Sequence, residues 1–126
     1  MSTVKILIVD DEPDIIDFLS YNLKKEGYEV LTSKNGQEAL KTAELHLPDL
    51  ILLDIMMPGM DGIETCETLR KIKGLDDSII AFLTARGEDY SQIAGLEAGA
   101  DDYIVKPVKP KVLLSRIKAL LKRKRI

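Results

Sequence analysis

Four separate stretches of this chain carry residue types suited to metal or group-transfer chemistry. They are Asp10-Asp11-Glu12, Asp54, Thr84 and Lys106-Pro107. Paired carboxylates such as Asp10 and Asp11 suit a hard cation bound through oxygen. A carboxylate standing alone, such as Asp54, suits a nucleophile. Carboxylates, a hydroxyl and a lysine together fit phosphoryl transfer, where positive charge must neutralise the oxygens around phosphorus. These residues lie far apart in sequence, so the chemistry depends on a fold that gathers them.

Each stretch follows a short apolar run that reads as a strand. Lys5–Val9 is almost continuously apolar, as in a strand buried on both faces. Further strands are expected over 28–32, 50–53, 78–83 and 103–105. Helical segments separate them. Pro13 opens the first, which carries Ile16, Leu19 and Leu23 and stops before Gly27. Asn35-Gly36 leads into a second with Ala39, Leu40 and Ala43, and Asp61 can cap a third over about 63–72. A weak fourth is expected over about 88–98, with Gly95 inside it and Gly99 after it. Pro110 opens the last, whose apolar stripe is Leu113, Ile117, Leu120 and Leu121.

Five alternating βα units imply an α/β fold: a flavodoxin-like, doubly wound, five-stranded parallel sheet with five helices. The expected strand order is 2-1-3-4-5, with ligands beyond the carboxyl ends of the strands near the switch point. Strands 1 and 3 are then neighbours, so Asp10, Asp11 and Asp54 converge, and Thr84 and Lys106 approach from the other side. Two unit charges about 4 Å apart repel by roughly 4 kcal/mol at an effective dielectric of 20. Lys106 offsets part of that, and a divalent cation would offset more. With only oxygen ligands and an open site, the expected ion is Mg²⁺. A set of helix-capping aspartates on an acidic surface is the plainer alternative. Three of them with a threonine and a lysine on one rim favour a site.

Composition agrees with one soluble domain. The chain has 126 residues, 45% hydrophobic and 31% charged, and no apolar run near the roughly 20 residues of a membrane span. The single cysteine, Cys66, excludes an intrachain disulfide and suits a reducing cytoplasm. The net charge of −3 hides an asymmetry: residues 105–126 hold nine of the 18 Lys and Arg and none of the 21 Asp and Glu. No aromatic residues interleave the basic ones, which favours a basic terminal helix complementing an acidic body over a nucleic-acid surface.

The motifs taken together resemble a two-component response-regulator receiver domain. They are Val9-Asp10-Asp11-Glu12, the run from Leu53 to Gly62, Leu83-Thr84-Ala85, and the run from Gly99 to Pro107. The resemblance spans essentially the whole chain. It implies a phosphoacceptor switch rather than a turnover enzyme. Asp54 would accept a phosphoryl group from a histidine kinase. Asp11 and Asp54 would ligate Mg²⁺ directly, Asp10 would act through water, and Met56 would give its backbone carbonyl. Lys106 would pair with the phosphoryl group, Thr84 in the Thr84-Ala85 pair would hydrogen-bond it, and Tyr103 would turn inward. Lys106-Pro107 would be cis. Met56 and Arg86 would tune the lifetime of the phosphate.

The last segment, 106–122, is similar to the OmpR/PhoB-type subgroup, whose receivers precede winged-helix DNA-binding domains. On that likeness, residues 1–126 are one receiver domain excised from a longer regulator, with DNA reached only through an effector domain absent here. A natural single-domain regulator acting by protein–protein contact is the alternative. The resemblance also implies a phosphorylation-biased homodimer through the fourth helix, the fifth strand and the fifth helix. Asp101, Asp102 and Arg116 match that face. Gln92 and Val112 depart from it, because the subgroup often has a basic residue and an acid there.

Other functions fit less well. A phosphatase with an aspartyl intermediate often has an acid two residues after the nucleophile, where this chain has Met56. A flavin module would find the loop after strand 1 acidic and repellent to phosphate. His46 lies far from the strand ends, and Cys66 has no neighbour to activate it.

Overall fold

The computed structural model describes residues 3–85, 94 and 96–124. Five strands form one parallel sheet: β1 (Lys5–Val9), β2 (Glu29–Ser33), β3 (Leu50–Asp54), β4 (Ile79–Ala85) and β5 (Asp102–Lys106). Their order is β2-β1-β3-β4-β5, as expected for this doubly wound sheet. Every neighbouring pair is parallel.

Side-chain alternation splits the core into two layers. Ile6, Ile8, Leu50, Leu52, Ala81 and Leu83 face one side. There they meet Leu19 and Leu23 of α1 (Pro13–Lys25) and Leu113 and Ile117 of α4 (Pro110–Lys124). Leu7, Val9, Ile51, Leu53 and Phe82 face the other. Their partners are Ala39 and Ala43 of α2 (Gly36–His46) and Cys66 and Leu69 of α3 (Gly62–Leu69). Each fully buried Leu or Ile contributes about 1.5–3 kcal/mol, so the two layers hold the strand ends in fixed register.

The helix starts follow local chemistry. Pro13 sits in the first turn of α1, and Lys24 and Lys25 in its last turn oppose the negative end of its dipole. The Asn35 side chain accepts the Glu38 N–H at 2.9 Å, and the Asp61 side chain accepts the Glu64 N–H at 2.8 Å. Each satisfies an amide that the helix itself leaves open.

One expectation falls largely outside the described residues, and another needs correction. Four helices are described in full. The helix expected over 88–98 falls mostly outside the described residues, of which Ala94, Leu96 and Glu97 are helical. The third helix closes at Leu69 rather than near residue 72. Beyond it, Lys71 N–H and Ile72 N–H bond three residues back, to Thr68 and Leu69, which tightens the chain into a turn.

Candidate functional site

The carboxyl ends of β1, β3 and β5 meet where the winding of the sheet reverses. Asp10 follows β1, Asp54 ends β3 and Lys106 ends β5. The strand alternation puts all three on the layer that contains Ile8, Leu52 and Ile104. Asp10 is fully buried and Asp54 is 4% exposed. Asp11 lies exposed at the rim, and carboxylate oxygens of Asp10, Asp11 and Asp54 come within 4.8 Å of one another. Lys106 Nζ lies 3.2 Å from Asp10 Oδ2 and 3.7 Å from Asp54 Oδ1.

The backbone holds these groups in place. Asp10 Oδ1 accepts the Glu12 N–H at 2.9 Å, and Asp54 Oδ1 accepts the Met56 N–H at 3.1 Å. Gly62 opens α3 directly against the Asp54 carbonyl and the Ile55 Cα. A side chain there would push the Asp54 backbone aside, so the start of α3 is built around Asp54. Glu12, Asp54, Met56, Ala85 and Lys106 line an open cavity of about 300 Å³. The Met56 side chain is 64% exposed at its mouth.

Thr84 sits one position beyond Leu83, the residue level with Asp54, so alternation turns it to the opposite layer with Phe82. Its hydroxyl is buried and has no hydrogen-bond partner among the described residues. Tyr103 pairs in register with Phe82 and packs partly buried on the same layer. Thr84 and Tyr103 therefore share a face, and Asp10, Asp54 and Lys106 share the other.

A family model described as the response regulator receiver domain matches residues 6–118. The chain belongs to that family. It is 50% identical over 122 residues to the alkaline phosphatase synthesis transcriptional regulatory protein PhoP of Bacillus subtilis (strain 168). That match covers 97% of this chain and spans about half, 50%, of the relative. A CheY-like response regulator receiver domain protein from Methanospirillum hungatei superposes with a TM-score of 0.92 at 36% identity. The superposition covers 98% of each chain. The Vibrio cholerae chemotaxis protein CheY4 superposes with a TM-score of 0.90 at 33% identity, over 94% of this chain and 99% of its own.

The receiver's acidic pocket is electrostatically tense. Burial, and then the neighbouring Asp10, push the Asp54 carboxyl up from 3.8 to about 6; the Lys106 ammonium and the Met56 N–H pull the other way. Desolvation alone would lower the Lys106 ammonium, but the carboxylates of Asp54 and Asp10 outweigh it and hold its pKa above the ordinary lysine value. One cation among three carboxylates leaves a net negative, oxygen-only donor set. That set fits Mg²⁺.

The remaining expected residues divide. The Lys106-Pro107 peptide is cis. Asp102 lies beside Arg116 of its own chain, with Arg116 Nη1 3.1 Å from Asp102 Oδ2. Asp101 faces inward instead, onto Arg70 and the Ile80 N–H. Arg86 and Gln92 lie outside the described residues. Arg70, which the sequence reading passes over, joins more of the receiver than any expected site residue.

Thr84→Val tests the unpartnered hydroxyl. Removing a buried, unsatisfied polar group without changing shape is expected to leave stability unchanged or raise it by about 1 kcal/mol. Urea unfolding checks this, and a loss of more than about 1 kcal/mol would mean that the hydroxyl already has a partner.

Proposed function

We propose that the chain is a phosphorelay switch in which Asp54 accepts a phosphoryl group from a phosphohistidine of a sensor kinase. The observation that carries this reading is the convergence of the Asp10, Asp11 and Asp54 carboxylates with Lys106 at one corner of the sheet. An Asp54 carboxylate oxygen forms the new O–P bond while the P–N bond to the donor imidazole breaks, and its electron pair returns to the nitrogen. Asp10, Asp11, Asp54 and the Met56 carbonyl would hold Mg²⁺, which supplies positive charge against the phosphoryl oxygens. Lys106 supplies a further positive charge at the same oxygens. The product is a mixed anhydride, so the modification is transient. Met56 offers no base for an attacking water, which slows hydrolysis.

The output follows from the two faces of the sheet. Thr84 leaves its layer to hydrogen-bond the phosphoryl group, and Tyr103 follows into the space vacated. The changed surface is β5 with α4 and the segment before β5. A cavity of about 180 Å³ there is lined by Ile104, Val105, Pro107, Lys109, Val112 and Arg116. A second copy docks on this surface, with Arg116 meeting Asp102, and with Asp101 at the margin of the face. Val112, 48% exposed, supplies apolar burial where an ion pair would otherwise form. In a longer regulator, such as the Bacillus relative whose name gives it a role in transcription, this dimer would control a DNA-binding effector domain. The setting is the cytoplasm; no helix among the described residues is long and apolar enough to cross a membrane.

Sedimentation with beryllofluoride and Mg²⁺ tests the switch. The parent is expected to shift from monomer to dimer. Arg116→Glu is expected to weaken the dimer about tenfold, since two symmetry-related exposed pairs are lost at roughly 0.2–1 kcal/mol each and replaced by repulsion with Asp102. A parent that stays monomeric, or an Arg116→Glu variant that dimerises equally, contradicts this reading.

A further inference from the structure

Outside the acidic corner, the densest polar network among the described residues centres on Arg70, at the end of α3. Its Nε donates to the Gly99 carbonyl at 2.9 Å, and its Nη2 to Asp101 Oδ2 at 2.8 Å. Its Nη1 donates to the carbonyls of Ser78 at 2.6 Å and Leu75 at 3.3 Å. Asp101 Oδ2 also accepts the Ile80 N–H at 2.9 Å, and the Asp101 N–H donates to the Ile80 carbonyl at 2.8 Å. One guanidinium therefore joins α3, the head of β4 and the turn that delivers the chain into β5. The turn is shaped to receive it. Gly99 has φ +107, and a Cβ there would meet Arg70 Cγ at 3.1 Å. Beneath the turn, the buried Cys66 thiol points at the Ala98 carbonyl at 3.6 Å.

We infer that Arg70 is a positioning residue: it locks the 98–101 turn onto α3 and β4 and so fixes where Asp102 and Tyr103 enter the sheet. Planar geometry suits Arg70 to this task, because its fork reaches three carbonyls and a carboxylate at once, which a lysine ammonium cannot. The lock touches none of Asp10, Asp11, Asp54, Thr84 or Lys106. It gives β5 a fixed anchor against which a change at Asp54 can move Tyr103. It also assigns Asp101 to the chain's own fold, leaving Asp102 as the acid available to a second copy. The role in signal output rests on the phosphoacceptor reading above; the lock itself does not.

Cys66 is the only cysteine, so its labelling reports the lock directly. It is fully buried, and burial pushes its thiol up to about 11, so the parent should react slowly with an aromatic disulfide reagent. Arg70→Met is expected to label at least about tenfold faster, at a rate flat in low urea, the signature of local opening. Asp101→Asn, which keeps an acceptor but loses the charge, should show a smaller gain. The double variant should match Arg70→Met alone, because both residues serve one network. Equal labelling of Arg70→Met and the parent, or a gain that rises steeply with urea as global unfolding does, would overturn the lock. For output, Arg70→Met should be phosphorylated within about twofold of the parent rate, yet form the beryllofluoride dimer about fivefold more weakly. An unchanged dimer would overturn the positioning role. A parent that neither takes up phosphate nor dimerises would instead count against the phosphoacceptor reading, and the Cys66 rates would still judge the lock.

Discussion

Asp54→Asn is expected to stabilise the metal-free protein by about 2 kcal/mol near pH 8 and by no more than about 0.5 kcal/mol near pH 4. The Asp54 carboxyl is raised from 3.8 to about 6, first by burial and then by Asp10. The folded state therefore binds this proton more tightly than the unfolded chain does. Well below about pH 4 both states are protonated and no cost is present. As pH rises through the window from about 4 to 6, the unfolded chain ionises first and the fold loses stability; above about 6 the full cost remains. Two pKa units correspond to about 3 kcal/mol, and solvent entering the open cavity reduces this to about 2. Asparagine carries no charge and escapes the cost. Urea unfolding of both proteins in a chelator, at the two pH values, measures the difference. An equal gap at both would contradict the electrostatic account. Excess Mg²⁺ should narrow the gap, because a ligand that binds only the folded parent raises its stability by mass action.

Lys106→Met is expected to act in the opposite direction and to cost about 2–4 kcal/mol without metal. Lys106 Nζ is the cation between Asp10 and Asp54, at 3.2 and 3.7 Å. Asp10 is fully buried, so removing the ammonium leaves a buried carboxylate with its main compensation gone. Because its pKa lies above the usual lysine value, Lys106 stays charged throughout the range from about pH 4 to 8, and its own titration adds no slope there. The deficit should nevertheless shrink toward pH 4, as Asp54 takes up a proton and the repulsion falls. Added Mg²⁺ should recover part of the loss. A deficit below about 0.5 kcal/mol, or one that grows toward acid, would contradict the role given to Lys106.

The sequence made the sheet legible because its three central strands, β1, β3 and β4, are buried on both faces. Leu50, Ile51, Leu52 and Leu53 are all fully buried, so the run carries no alternation that a helix or exposed strand would share. The acidic corner was legible for a related reason: Asp10, Asp54 and Lys106 come directly after, or at the end of, such runs. Once the order β2-β1-β3-β4-β5 holds, their meeting follows.

What the sequence hid depends on contacts between distant residues. Arg70 falls inside the third helix expected over 63–72 and carries no motif, since its partners are mostly backbone carbonyls, with Gly99 29 positions away. Asp101 reads as the twin of Asp102, yet the two point to different partners, one inward to Arg70 and one outward to Arg116. The extension of β4 through Thr84 and Ala85 was hidden because apolar character stops at Leu83. Pairing with Val105 and Lys106 of β5, rather than hydropathy, carries the strand onward.

The central claim is that Asp54 is the phosphoacceptor and needs a divalent cation. Intact-mass measurement after incubation with a small phosphoramidate tests it most directly, on the parent and on Asp54→Asn, with Mg²⁺ and with a chelator. The account predicts one added phosphoryl group on the parent with Mg²⁺, lost on long incubation after the donor is removed. It predicts none on the parent with chelator and none on Asp54→Asn under either condition. Equal phosphorylation of Asp54→Asn and the parent, or uptake indifferent to the cation, would contradict it.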